Sequence, residues 1–561
     1  MTADDLKKYF HTVKYLKPSQ LFWQAFVLSK IPYRLAYEQT QKQLQYHSFP
    51  AVQKHLSYVI PFLDTPEVYF SRFDPDRIVQ GSFCFLHQQQ VVLNDVWKVP
   101  TQSHLWNFHL HYFEYGVALA FQYAKTKNLQ YSERLSELID SWIKQPMSGD
   151  GWHPYTISVR LSNWLICLDV AGDGLPESIR EKMYKSIYLQ YCFLRNCPEK
   201  HLLGNHYFEN LKALILCAAL FGDQKRLSKY LFQLRQQLAE QILPDGMHME
   251  RSFMYHKIVL EDLIRIVYLL KQMHIGCDPY LAVLNQMTDA LYFAEQGLIR
   301  TPLFNDSANN EAKPAEVLWQ TMSLLFGWKP KNYRCLDCAG YYKLQTDGFR
   351  LLIDCGPLGP SYLPGHSHCD TLSFEMYVAG IPVFVNAGTG LYQGSLRSYF
   401  RSTSAHNTVV IDEKEQAECW AEHRVARRTS KVRATCTDTV FSGRYTTYFG
   451  AEHHRRIQLE STGFEVCDSI REKHLISAKS YLHLADGFKV KQQSDTQLLI
   501  WGKGLMLTVT AQNCCAEVFS KGNLCLYAPE FGSIKKSTTL CFDAKQPCFG
   551  YRVTVHRRNE K

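Results

Sequence analysis

Residues 364–388 read PGHSHCDTLSFEMYVAGIPVFVNAG. A Pro-Gly turn opens the stretch, and His366, His368 and Asp370 follow at alternate positions. An apolar run rich in β-branched and aromatic residues then sets in. Residues i and i+2 of a strand share a face, so the spacing predicts His366 and His368 side by side at the start of a strand. The same texture continues downstream in HNTVVID, KVRATCT, RRIQLES, GFEVCDSI and SYLHLADGFKV. These segments are short, alternate with period two and are bounded by turn residues. That pattern predicts an antiparallel β-sandwich domain.

Upstream the period changes. WNFHLHYFEYGVALAFQYAKT, SVRLSNWLICLDVAG, HYFENLKALILCAALFG and HKIVLEDLIRIVYLLKQM repeat apolar residues at steps of three and four, as in Leu211, Leu214, Ile215 and Ala218. Connectors such as GDG (149–151) and PDG (244–246) are short. Consecutive helices on short loops predict antiparallel hairpins stacked in a bundle, solenoid or ring. The boundary falls near WKPKNYRCLDCAG (328–340), giving a helical domain over 1–335 and a β domain over 336–561. No low-complexity linker separates them. The two are therefore expected to pack together, with a ligand cleft at the junction.

The bulk numbers fit this division. A chain of 561 residues is too long for one core. Its 62 Lys and Arg against 53 Asp and Glu leave a formal charge of +9, which suits an anionic ligand without demanding one. Aromatics at 13% could line a sugar cleft, although most large rings pack in cores. The 18 cysteines are scattered through helical and strand segments and do not read as a disulfide framework. Cys335 and Cys338 lack a second ligand pair and read as ordinary thiols. The N-terminus MTADDLKKYFHTVKYLKP has no signal-peptide run, and LFWQAFVLSKI (21–31) is too short to span a membrane. A cytoplasmic location is the expectation, with the periplasm as the alternative.

Four stretches carry groups able to do chemistry: GNHYFEN (204–210), PDGMHMERSFMYH (244–256), PGHSHCD (364–370) and SAHNTVVID (404–412). Singly each has an ordinary explanation. Asn205 is a preferred helix cap, Tyr255 could be a satisfied core phenol, and a lone HxH is weak evidence for a metal. Glu250 and Asp245 could act as an acid–base pair or stand as solvated loop carboxylates.

Taken together, these stretches resemble the heparinase II/III family of polysaccharide lyases. WNFHLHYF (106–113), GWHPYTISVRLSNW (151–164), LFNDS (303–307), VNAGTG (385–390), FRSTSAHNTVVID (400–412) and RVARR (424–428) join them in the family's order. The resemblance implies an N-terminal incomplete (α/α) toroid followed by an antiparallel β-sandwich. It also implies cleavage of uronate-containing glycans by β-elimination, leaving a 4,5-unsaturated uronate. By the same resemblance Asn205 grips the uronate carboxyl group, Tyr255 serves as base, acid or both, and His366 neutralises the carboxylate or takes the proton. A free phenol titrates near pH 10, so a positive neighbour such as His366 or Arg251 is expected to lower Tyr255. His206 and His256 match no catalytic position and are expected to support at most. His153, Tyr155, Arg160 and Arg251 are expected to line the cleft and hold the acidic sugar.

His368, Asn386 and His406 match metal positions of some members, with zinc the expected ion and a structural role. An amide where those members carry an aspartate weakens the set. Asp370 is assigned to holding a histidine tautomer. The expected partner is an acidic polysaccharide or oligosaccharide, with no nucleic acid and no membrane span. Two other readings stay open: an inactive glycan-binding or surface-polysaccharide biosynthesis protein on the same fold, and a glycoside hydrolase using Glu250.

Overall fold

Two kinds of helix build the first half. In Pro154–Ala171, Gly204–Leu220 and Phe253–Gln272 almost every position is buried, and from 204 to 220 His206 alone is not. A helix buried on nearly all sides is enclosed by its neighbours, and the polar side chains that these three carry find partners inside, as Lys212 does in Glu209 and Asp262. Between these helices run Leu129–Ile143, Glu177–Leu194, Gln224–Gln241 and Asp278–Glu295. These bury a stripe; in Gln224–Gln241 it comprises Leu227, Tyr230, Leu231, Leu234 and Leu238. Glu114–Thr126 packs on Pro154–Ala171, that helix on Gly204–Leu220, and that one on Phe253–Gln272, while the striped helices pack outside this row. The result is an incomplete (α/α) toroid. The structure, a computed structural model, describes residues 2–45, 49–53, 55–92 and 97–556.

Two features depart from the all-helical reading of this half. Ser82–Phe85 and Gln88–Val91 form a β-hairpin. The stretch 104–126 is not one helix: His104–Tyr112 and Glu114–Thr126 meet at Phe113, whose φ of 59° lies in the left-handed region. Such a residue ends a helix because its Cβ crowds the following carbonyl.

The last helix of the first half, Ala315–Phe326, and the first strand of the second half, Cys335–Leu336, bracket the expected boundary. An eight-stranded sheet begins with Ser430–Cys436, Val440–Thr446, Glu452–Glu460 and Gly463–Arg471 in order and continues through Cys548–His556. Every pairing in it is antiparallel. A five-stranded sheet, from Cys335–Leu336 to Ile381–Phe384, and a four-stranded one containing Val409–Ile411 and Ala478–His483 supply the other layers. Phe441, Ile457 and Val466 of the first sheet pack with Leu351 and Phe374 of the second and Leu482 and Phe542 of the third in one apolar core. Alternate burial along Glu452–Glu460 is the period-two pattern read from RRIQLES.

The junction is knit by polar contacts from many parts of the chain. The N-terminal helix Ala3–Val13 lies on the β half, where Trp420 Nε1 donates to Thr12 Oγ1 at 3.0 Å. Gln20 donates to the Tyr362 carbonyl at 3.3 Å, and the Tyr362 hydroxyl donates to Glu240 at 2.5 Å. Asn309 and Asn310 donate to the carbonyls of Pro529 and Phe531 at 2.8 and 3.0 Å.

Candidate active site

At this junction lies a cleft of about 330 Å³, lined from the toroid by Tyr155, Asn205, His206 and Tyr255 and from the β half by His366 and Tyr392. Each catalytic candidate is placed by its own local structure. Asn205 is not a cap, since the helix begins at Gly204 with Leu203 before it. Gly204 has φ +55°, and a Cβ there would sit 2.4 Å from Glu250 Oε1. Only glycine lets that carboxylate close on the helix start. Glu250 accepts the Asn205 backbone N–H at 3.2 Å, and the side-chain amide donates to its two oxygens at 3.1 and 2.9 Å. A carboxylate at a helix N-terminus is favourably placed. Burial opposes its charge, but His248, His366 and the Asn205 bonds outweigh this and hold Glu250 below its ordinary range.

Tyr255 lies in the first turn of Phe253–Gln272, where Ser252 Oγ caps the helix by accepting the Tyr255 N–H at 3.3 Å. The same hydroxyl donates to the Asp306 carbonyl at 2.7 Å, tying Tyr255 to the 303–307 segment. The Tyr255 ring packs tilted against His366, with centroids 4.1 Å apart and planes at 36°, and its hydroxyl lies 2.6 Å from that of Tyr392. The expectation of a lowered phenol is corrected here. Burial, then Tyr392, Asp306 and Glu250, push Tyr255 well above its ordinary value. Arg251 does not reach it.

His366 and His368 lie in the irregular stretch before the strand Phe374–Val378, not on the strand expected. They still share one partner. His366 Nδ1 lies 2.8 Å from Asp306 Oδ2, and His368 Nε2 lies 2.7 Å from Asp306 Oδ1. Arg397 grips both oxygens of the same carboxylate, and Thr389 adds a bond at 3.2 Å. Burial disfavours the Asp306 anion, yet Arg397 and the two imidazoles hold its carboxyl well below the usual range. With Nδ1 against Asp306, the other ring nitrogen of His366, Nε2, lies 3.9 Å from Glu250 Oε2. Asp306 is thus the residue that fixes the tautomer. Asp370, given that task from the sequence, instead accepts the Asn305 N–H at 2.9 Å.

The structure brings together Asn205, Tyr255 and His366, with Tyr155 and His206 on the same wall. His206 Nδ1 meets Glu199 at 3.0 Å, and that pairing, outweighing burial, raises the imidazole. Three expected sugar contacts fall elsewhere. Arg160 is fully buried; its donors go to Gln190 Oε1, the His111 carbonyl and the Gly151 carbonyl at 2.9, 3.0 and 2.7 Å, and its guanidinium lies over Trp142. Arg251 is buried too and clamps the carbonyls of Ala339 and Cys338 at 3.0 and 3.3 Å, a strut between the halves. His153 stands beside the cleft, against Phe108 and 3.8 Å from Glu199. His256 is a core histidine, 2.9 Å from the Met287 carbonyl. We expect Arg160→Ala to destabilise the protein by about 3 kcal/mol, from acceptors left unpaired in the interior. The folded fraction should keep its KM. A raised KM with unchanged Tm would return Arg160 to the substrate.

Glu250 and Asp245 do not form an acid–base pair. Glu250 is 1% exposed and engaged with Asn205, while Asp245 accepts the Ala339 N–H at 2.8 Å. The expected metal residues are close to one another. His368 Nδ1 and His406 Nε2 are 3.1 Å apart, and His406 Nδ1 is 2.7 Å from the Ser402 carbonyl. Two imidazole nitrogens are half of a closed zinc set. Asn386 Oδ1 already accepts the Asn407 N–H at 3.2 Å. Among the described residues no group of three or more His, Cys, Asp or Glu could hold an ion. The donor set does not fit a closed zinc site.

Two family models match the chain. The one described as Heparinase II/III N-terminus covers residues 82–331. The one described as Heparinase II/III-like, C-terminal covers residues 329–547. A heparin-sulfate lyase of Pedobacter heparinus is 20% identical over 358 residues, 56% of this chain and 53% of its own length. Another, of Bacteroides thetaiotaomicron, is 23% identical over 361 residues, 54% of this chain and 51% of its own. The chain spans about half the length of the curated relatives it matches. A heparinase III crystal structure shares the fold with TM-score 0.71 and 16% identity, over 96% of this chain and 91% of that one. The helical and β halves, matched one after the other and meeting at the cleft, place the chain in the heparinase II/III family.

Proposed function

We propose that the cleft binds a uronate-containing glycan and breaks its C4–O bond by β-elimination. The observation that carries this reading is the meeting of Asn205, Tyr255 and His366 on one cleft wall. The relatives named heparin-sulfate lyase support it. The chemical difficulty is the C5 proton, which is acidified only if the adjacent carboxylate is neutralised and the enolate-like charge stabilised. The Asn205 amide, anchored by Glu250, can donate to that carboxylate, with His206 beside it. The His366 Nε2 lone pair, its tautomer held by Asp306, takes the C5 proton. The Tyr255 phenol, kept protonated by burial, gives a proton to the departing O4. Base and acid are adjacent rings, 4.1 Å apart between centroids, and reach the sugar from one side. That arrangement suits a uronate whose C5 hydrogen and O4 lie on the same face, as in the gluco configuration.

The test is incubation with uronate polymers while following the ultraviolet absorbance of the conjugated double bond. An increase with wild type that is lost in His366→Ala is the expected result; no increase on any uronate polymer would remove the reading. In the same reading the His368–His406 pair braces the loop without an ion. Exhaustive chelation is therefore expected to leave activity within twofold of the untreated protein. Loss of activity restored by zinc would contradict this.

A further inference from the structure

The first two helices of the chain are mounted inside out. In Ala3–Val13, Leu6, Phe10 and Val13 recur at steps of four and three and so share one face. A surface helix ordinarily turns such a face to the core. Here it meets solvent, with Phe10 67% exposed. The polar side lies against the protein, where Asp5, Lys8, His11 and Thr12 are half-buried and Thr12 takes the Trp420 indole N–H. Pro18–Leu28 repeats the arrangement. Leu21, Ala25 and Leu28 fall on one exposed face with Phe22 beside them, and Leu28 and Phe22 are 82% and 64% exposed. The single buried residue of this helix is Gln20, the polar one that bonds Tyr362. Nearly half of the large apolar side chains exposed among the described residues lie between Leu6 and Tyr37. A concentration of that kind marks an interaction surface.

A second copy and a lipid surface are the two occupants that suit an apolar face, and charge chooses between them. Over residues 2–45 Lys and Arg outnumber Asp and Glu by seven to three. Lys7, Lys14 and Lys30 stand exposed next to Leu6, Val13 and Ser29, and among the described residues none of the three makes an ion pair. A twofold contact sets each patch against its own copy, and these lysines would then oppose one another. An anionic leaflet supplies the opposite charge. The rings fit the same occupant. Trp23 lies 5.4 Å from Phe22 and 5.7 Å from Phe26 between centroids, and Trp and Phe settle at the headgroup level of a bilayer. Among the described residues no helix is long and apolar enough to cross a membrane, which leaves these two to lie in the interface.

We infer that Ala3–Val13 and Pro18–Leu28 form an interfacial anchor that holds the protein on an anionic lipid surface. Gln20 ties this anchor to Tyr362, in the segment leading to His366. The inference does not depend on the elimination reading. Flotation of the full chain with vesicles of phosphatidylglycerol and phosphatidylethanolamine tests it. Vesicles of phosphatidylcholine alone and the double variant Phe22→Ser, Leu28→Ser are the comparisons. Wild type should float with the anionic vesicles and bind phosphatidylcholine about tenfold more weakly, or less. The variant should bind the anionic vesicles on the order of 10²-fold more weakly, at unchanged Tm because both side chains are exposed. Wild type that stays unbound with anionic vesicles overturns the inference, as does a variant that floats equally well. A wild-type dimer in sedimentation velocity that the variant dissolves, without flotation of either, also overturns it and gives the face to a second copy.

Discussion

Tyr255→Phe is expected to lower kcat by about 10³-fold, the loss typical of a missing proton donor in the transition state. The fold should persist. The phenyl ring keeps its contact with His366, and only the hydroxyl bond to Tyr392 is lost, a cost of about 1 kcal/mol. KM should change little, because the phenol acts on the leaving oxygen in the transition state and not on the bound sugar. The pH profile separates acid from base. Burial holds Tyr255 protonated well above its ordinary value. As an acid it keeps its proton across the neutral range, and kcat should not climb as pH approaches 10. A steady climb there would mark phenolate as the active form. A Tyr255→Phe protein retaining more than a tenth of wild-type kcat would remove the phenol from the mechanism.

Asp306→Ala should be the most damaging single change to the structure. The carboxylate is fully buried and receives Arg397, His366, His368 and Thr389. Removing it leaves the Arg397 guanidinium buried without its anion, a loss of about 3–5 kcal/mol. Asp306→Asn keeps the shape and several bonds, so it should fold. It should still lose most activity, because an amide no longer fixes the His366 Nδ1–H tautomer. Acid unfolding gives an independent readout. The Asp306 carboxyl is depressed in the fold, so its stabilisation is complete above the unfolded carboxylate value of about 3.9. That stabilisation is lost as pH falls toward the folded value. The stability gap between wild type and Asp306→Asn should therefore shrink below about pH 4. A gap independent of pH through that range would mean that Asp306 is not ionised in the native protein.

The change from helices to strands was legible because burial writes a period into each element. The enclosed helices and the alternating strands could not carry each other's pattern. The hairpin at 82–91 escaped because it is short and its second strand, QQQV, shows no alternation. The break at Phe113 escaped because nothing in WNFHLHYFEYGV marks a left-handed residue. Asn205, Tyr255 and His366 were singled out by the family resemblance of their stretches, and all three line the cleft. Their supports were not, since Glu250, Asp306, Tyr392 and Arg397 converge only through tertiary contacts. Asp306 sits in LFNDS, more than fifty residues before the histidines it holds, whereas Asp370 is their neighbour in sequence alone. Arg160 and Arg251 misled for a related reason. A charged residue near a catalytic stretch suggests a ligand contact, but a guanidinium can be occupied by carbonyl groups distant in sequence, as Arg160 is by Gln190, His111 and Gly151.

Running the reaction in heavy-oxygen water and weighing the fragments puts the chemistry itself to the test. Elimination takes nothing from solvent, so both fragments should carry no label, and one should absorb in the ultraviolet as an unsaturated uronate. A labelled fragment with a saturated end would mean hydrolysis, and the roles given to Asn205, Tyr255 and His366 would be wrong.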